Sequence, residues 1–92
     1  MTDLRKLARD RPCMIRVPHV CDGGGPTTVG CHYRLAGVSG MGYKAPDLFI
    51  AWGCAACHRW VDTHHDDATK VLMLEGIVRT QDVLIREGKI RW

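Results

Sequence analysis

The sequence is poor in large aromatic side chains and has no long apolar run. Aromatic residues make up 7% of its 92 residues, and phenylalanine occurs once. A chain of this length buries only about 60–65% of the surface that its unfolded form exposes, so its core is thin and needs additional stabilisation. No segment approaches the roughly 20 apolar residues that span a bilayer. We therefore predict one small domain over residues 1–92 and no association with a membrane.

A secretory signal is also missing. The first 11 residues contain four basic side chains, but no apolar segment follows them, so we expect that the chain is not exported. Disulfide bonds are then not expected, and five cysteines would leave one thiol unpaired in any case. We predict instead that a bound metal ion stabilises the domain.

The excess of positive charge is small and unevenly placed. The net charge is +3. All of this excess lies in residues 1–65, because residues 66–92 contain as many acidic as basic side chains. A basic bias suits a polyanion such as nucleic acid, although an ordinary solvated surface explains it equally well.

The first two thirds of the chain read as short strands and loops. A polar lead-in of 1–12 precedes a β-like stretch at 14–17. A strand is predicted within 27–34, because β-branched residues begin it. The segment 36–47 contains three glycines and a proline and is predicted to be a loop. The apolar segment 48–53 is either a strand or the start of a helix.

Helices are predicted for the last third of the chain. One runs over 54–65. A second covers 67–88, where the side chains repeat with helical spacing at Val71, Leu74, Val78, Gln81 and Ile85. Gly76 marks a point where this segment is expected to divide into two helices. The domain is thus divided into a lead-in of 1–12, a core of 13–65 and C-terminal helices of 66–92, which are also a candidate surface for a homodimer.

Two pairs of cysteines are spaced like zinc ligands. Cys54 and Cys57 form a Cys-x-x-Cys pair, and Cys13 and Cys21 form a looser pair with seven residues between them. Four thiolates complete the tetrahedral shell of a structural zinc ion. Cys31 is either an alternative to Cys13 or Cys21 or the odd thiol. Free buried cysteines and a redox pair are the other interpretations. The Cys-x-x-Cys-His string also matches haem attachment, but we expect no haem because that chemistry requires export.

The histidines near the second cysteine pair form a further pattern. If a helix begins near residue 54, His58, Asp62 and His65 lie on one of its faces. Two imidazoles and a carboxylate suit a divalent metal or a phosphate group, and a solvated helix face is the alternative. His19 and His64 are predicted to be surface residues.

These groups together permit phosphodiester hydrolysis. His32 ends the predicted strand and has the chemistry of a general base. A cation opposite it would polarise the phosphate. Arg34 and Arg59 adjoin the two histidine positions in sequence and are candidate phosphate contacts.

Three segments resemble a known family. "RPCMIRVPHVC", "AGVSGMGYKAPDL" and "WGCAACHRWVD" are similar to small prophage-encoded proteins of the YbcO type, which are regarded as nucleases within the HNH, or His-Me finger, superfamily. The resemblance extends over about residues 10–88. It implies an α+β fold: a compact, zinc-stabilised ββα-metal core followed by a C-terminal helical segment.

The resemblance also implies roles for individual residues. His32 matches the general base, Asp47 stands where many HNH proteins have an asparagine, and His58 matches the metal-binding histidine of the helix. The two cysteine pairs match zinc ligands. Cys31 departs from the pattern, because a hard metal ligand commonly precedes the base. Asp62 is the candidate to replace that ligand.

We therefore predict a metal-dependent endonuclease that acts on DNA in the cytoplasm of a bacterial host. The cofactors are a structural Zn²⁺ at Cys13, Cys21, Cys54 and Cys57, and Mg²⁺ or another divalent ion at His58 and Asp62. Arg34, Lys44 and Arg59 are predicted to contact the DNA phosphates. The alternative is a zinc-stabilised module that binds DNA or protein without catalysis.

Overall fold

A two-stranded antiparallel sheet and two helices make up the fold. The structure is a computed structural model that describes residues 6–33 and 47–90, with Asp47 described only by its backbone. Strands β1 (Val29–His32) and β2 (Ile50–Gly53) precede helices α1 (Ala55–Thr63) and α2 (Asp67–Arg86). Short 3-10 turns occur at Lys6–Ala8 and Asp47–Phe49. No helix among the described residues is long and apolar enough to cross a membrane.

Strand β2 lies at the centre of the molecule. It pairs with β1 in a register that places Val29 opposite Gly53 and His32 opposite Ile50. All four residues of β2 are buried. Two isolated strands are marginally stable in water, so the packing of other segments on both sides of β2 maintains the sheet. The strand predicted within 27–34 is confirmed, and 48–53 supplies its partner.

The stretch 14–17 does not form the predicted β-like segment. The structure shows bends there, and the backbone at Arg16 has a positive φ of 60°. Met14, Ile15 and Val17 are nevertheless buried. The N–H of Met14 donates to the carbonyl of Trp52 at 2.6 Å. The apolar pattern at 14–17 therefore reflects packing beside β2 rather than a ladder of strand hydrogen bonds.

Helix α2 is continuous, so the predicted division at Gly76 is wrong. A Cβ atom at position 76 would lie 3.0 Å from the Cβ of Ala51 and 3.2 Å from the carbonyl oxygen of Met14. Both neighbours belong to packed segments with little freedom to move. Glycine therefore allows the helix to lie close against β2, and this contact offsets its low helix propensity.

The helical spacing predicted α2 correctly, but the stripe that carries it faces solvent. Val71, Leu74, Val78 and Ile85 are between 40% and 66% exposed. The buried face contains small and medium side chains instead, and these are Thr69, Met73, Gly76, Ile77, Thr80 and Leu84. Small residues on this face let the helix approach the sheet closely.

Candidate metal centre and adjoining pocket

Four of the five cysteines converge on one point. The Sγ atoms of Cys13, Cys21, Cys54 and Cys57 all lie within 4.8 Å of one another. All are free thiols, and three of the four are buried. Within residues 6–33 and 47–90, this is the one group of three or more potential ligands that is close enough to hold a metal ion. The two cysteine pairs predicted as zinc ligands are thus brought together by the fold.

Local backbone structure places each pair. Cys54 precedes α1, and its Sγ accepts a hydrogen bond from the N–H of Cys57 at 3.4 Å. Around the other pair, the chain turns back so that Pro12 bridges to Gly24. Gly24 has a φ of +87°, and a Cβ there would lie 2.5 Å from the amide nitrogen of Cys13. A residue with a side chain would therefore disturb the turn that holds this pair.

The electrostatics of the cluster favour a bound cation. Burial raises the pKa of the Cys57 thiol well above its usual range, and burial also raises the pKa of Cys21. At neutral pH these thiols lose their protons only when a positive ion compensates the charge. Four sulfur ligands in a tetrahedral set are typical of structural zinc.

Cys31 is not part of this cluster. It lies in β1, is 2% exposed, and its thiol donates a weak hydrogen bond to the carbonyl of Val29 at 3.8 Å. Burial raises its pKa to about 12. Because the group of four converging sulfur atoms does not include Cys31, the structure does not support it as a substitute for Cys13 or Cys21, and Cys31 is a buried core thiol.

A pocket of about 110 Å³ lies at the end of β1. His32 reaches it from the end of β1 and Tyr33 from the residue that follows, Asp62 from α1, and Thr69 and Lys70 from the first turn of α2. Its other lining residues are Val61, His64, His65 and Met73. The predicted base and one predicted metal ligand thus share a single small cavity.

His58 and Asp62 lie side by side on α1. The Nε2 atom of His58 is 3.5 Å from Oδ2 of Asp62, and both side chains are about half exposed. His58 does not line the pocket, whereas Asp62 does. His65 also lines the pocket but follows the end of α1, so the predicted three-residue stripe on one helix face is only partly formed.

His64, predicted to be a surface residue, is part-buried and lines the pocket. Its ring stacks on Trp60 with centroids 3.6 Å apart, and its Nδ1 lies 2.9 Å from the carbonyl oxygen of Trp60. The hydroxyl of Thr63 lies 3.0 Å from the same Nδ1 atom, and in the tautomer protonated at Nδ1 the ring donates to the carbonyl of Trp60. His64 thus forms a fixed wall of the pocket, and its Nε2 atom is not used in this hydrogen bond.

Of the three residues predicted to contact phosphate, the structure describes one. Arg59 is exposed on α1. Arg34 and Lys44 lie outside the described residues, as does the side chain of Asp47. The sequence analysis missed Tyr33 and Lys70 as pocket residues. No sequence motif marks them: Tyr33 reaches the pocket because it follows His32 at the end of β1, and Lys70 because α2 packs against the sheet.

The fold and site define a small α+β protein with four cysteines that could hold a metal ion and a histidine-containing pocket. The chain belongs to the family described as "Putative nuclease YbcO", whose model matches residues 2–89. Proteins named "Putative nuclease YbcO" from Escherichia coli K12 and "Putative nuclease ybcO" from Enterobacteria phage 82 are each 47% identical over 95 residues, which cover 99% of both chains.

A solved structure has the same fold. It is titled "Structure of a putative bacteriophage protein from Escherichia coli str. K-12 substr. MG1655" and is 42% identical in sequence. It superposes with a TM-score of 0.76, covering 94% of this chain and 100% of that one.

Proposed function

We propose that the protein is a metal-dependent endonuclease that hydrolyses DNA phosphodiester bonds in the pocket at the end of β1. The observation that carries this proposal is the convergence of His32 and Asp62 on one cavity from two different elements. The names of the relatives, which describe nucleases, support it. The order of β1, β2 and α1 also fits a ββα-metal core of the His-Me finger type.

His32 is proposed as the general base. An imidazole accepts a proton from water near neutral pH, and the pocket gives His32 access to a bound phosphate. Asp47, which begins the turn before β2, is proposed to position this base or its loop. Arg34, Lys44 and Arg59 are proposed to contact neighbouring phosphates.

His58 and Asp62 fit a divalent ion. Nitrogen and oxygen ligands lie about 2.0–2.2 Å from such ions, so two donors of one ion are about 3–4 Å apart. The observed separation of 3.5 Å agrees with this range. Mg²⁺ commonly takes one or two carboxylates and keeps several waters. When bound, the ion would polarise the phosphate and stabilise the leaving oxygen.

The charge of the pocket gives a second reason for a cation. The carboxylate of Asp62 lines the cavity and repels an incoming phosphodiester. A divalent ion held by this carboxylate would remove the repulsion. The four-cysteine cluster does not supply this ion, because a closed tetrahedral site leaves no position for substrate. We assign that cluster to structural Zn²⁺.

The test is nicking of supercoiled plasmid with Mg²⁺ or Mn²⁺. We expect His32→Ala to lower the rate by about 10²–10⁴-fold, the usual contribution of a general base. His19→Ala is a matched control, because His19 is an exposed histidine in the loop between Cys13 and Cys21. Equal nicking by the wild type and His32→Ala would refute the assignment.

A zinc-stabilised binding module without catalysis is the second candidate. The observation that favours it is the thiol at position 31, since Cys31 is buried and offers no hard ligand beside His32. DNA binding without nicking by the wild type, with either metal ion, would support the module and contradict the nuclease.

A further inference from the structure

Lys70 is the one permanently cationic side chain among the described residues that line the pocket. It lies in the first turn of α2, across from His32 of β1 and Asp62 of α1. Arginines 11, 79 and 86 each form an ion pair with a carboxylate. Lys70 has no carboxylate within 4.0 Å in the part of the chain that the structure describes. Its charge is therefore available to an anionic ligand.

The size of the pocket limits what that ligand can be. Sites for drug-sized molecules occupy about 300–1,000 Å³, and this cavity measures about 110 Å³. Since one water takes about 30 Å³ of the liquid, the cavity has room for a few water-sized groups. A cavity of this size suits a single tetrahedral phosphate group.

The wall of the pocket is fixed before any ligand binds. The ring of His64 is held by its stack on Trp60 and by the hydrogen bond from its Nδ1. The start of α2 is held by Asp66, whose carboxylate accepts the N–H of Thr69 at 2.9 Å. Lys70 follows this capped residue directly, so its backbone position costs little to order on binding.

We propose that Lys70 binds a phosphate of the DNA strand in this pocket. Its ammonium group contacts an oxygen of the phosphate and offsets part of the repulsion from Asp62. This phosphate is the one that reacts if the proposed nuclease function is correct, so the catalytic role of the contact rests on that function. The binding of phosphate by Lys70 does not itself depend on turnover.

The experiment measures binding of a fluorescent DNA duplex by anisotropy at several salt concentrations, without added divalent ions. Each phosphate contact contributes about 0.9 to the slope of log K against log salt concentration. We expect Lys70→Gln to bind more weakly and to lose about 0.9 from this slope. Between 50 and 200 mM salt, its affinity should then fall about three- to fourfold less than that of the wild type.

Two further variants control for general charge and for folding. Lys89→Gln removes an equal charge from an exposed position beyond the end of α2 and should leave the slope unchanged. Lys70→Arg should restore both slope and affinity. Slopes that agree for the wild type and Lys70→Gln, with equal melting temperatures, would overturn the proposal. Absence of duplex binding by the wild type would also overturn it.

A parallel titration with inorganic phosphate, followed by NMR, separates two sources of the same chemical group. Phosphate binding that depends on Lys70, combined with an unchanged DNA slope, would identify a site for free phosphate and refute the DNA contact. The plasmid assay keeps this proposal distinct from the proposed function. A slope that depends on Lys70 in a protein that never nicks DNA supports the contact and contradicts the nuclease.

Discussion

Loss of one ligand from the four-cysteine cluster should unfold the domain. Cys57 is fully buried, and its Sγ lies within 4.8 Å of the three other sulfur atoms. Replacing it with serine removes one of the four sulfur ligands and leaves an incomplete tetrahedral set at a site that is largely buried. We expect Cys57→Ser to lose both its metal and its cooperative thermal transition.

The magnitude follows from comparing two free energies. Folded domains are stable by about 0.05–0.15 kcal/mol per residue, which gives about 5–14 kcal/mol for a chain of 92 residues. Structural zinc contributes an apparent binding free energy of about 10–16 kcal/mol in small domains at pH 7. The metal term is therefore as large as the whole stability, so the metal-free chain has little left to hold it folded.

Cys31→Ser is the matched control. Cys31 is 2% exposed and packs in the same part of the hydrophobic core as Cys57, but it is outside the group of four cysteines. Burying its hydroxyl group costs only about 1–3 kcal/mol. Circular dichroism melting and metal analysis by mass spectrometry should show a folded, metal-loaded Cys31→Ser protein with a lowered Tm. A cooperative transition in Cys57→Ser close to that of Cys31→Ser would refute the reasoning.

Two further predictions concern the helix that supports the pocket. Thr80 is buried; its hydroxyl accepts a hydrogen bond from the N–H of Trp52 at 3.0 Å and donates one to the carbonyl of Gly76 at 2.8 Å. Thr80→Val removes both hydrogen bonds and should lower the free energy of unfolding, measured by urea titration, by about 1–3 kcal/mol. Thr80→Ser keeps the hydroxyl and should lower it less. Hydrogen bonds from Thr69 hold the pKa of Asp66 below its usual value. Stability from this cap is therefore present above the unfolded-state pKa and is lost as pH falls through the lower folded-state pKa. Asp66→Ala should melt a few degrees below the wild type at pH 7, and a gap that persists once the carboxyl is protonated, well below pH 4, would contradict this.

The sequence predicts the metal centre better than the pocket. Cysteine spacing is a local property, and the fold confirms that the two pairs meet. The pocket depends on where the first turn of α2 lies relative to β1. That arrangement follows from the close contact at Gly76, which no pattern in the sequence specifies. The sequence therefore predicts a helix break at this glycine, whereas in the structure the glycine allows close packing.

The error over the exposed stripe of α2 has a related cause. Regular spacing of Val71, Leu74 and Val78 predicts a helix, but spacing alone does not say which face is buried. The buried face contains Thr69 and Thr80, whose hydroxyl groups find hydrogen-bond partners or lie at the capped end of the helix. Polar residues that are satisfied in this way are hidden from an analysis based on hydrophobicity.

The geometry of β1 separates the environments of Cys31 and His32. Successive side chains of a strand point to opposite faces, so Cys31 is buried in the core while His32 lines the pocket. The inward-facing thiol adds to the apolar packing around the cysteine cluster, and Cys31 contributes nothing to the pocket lining. Asp62 lines the same pocket from α1, with His58 at 3.5 Å. On the proposed function, a catalytic ion in this pocket would be held mainly from α1, by His58 and Asp62.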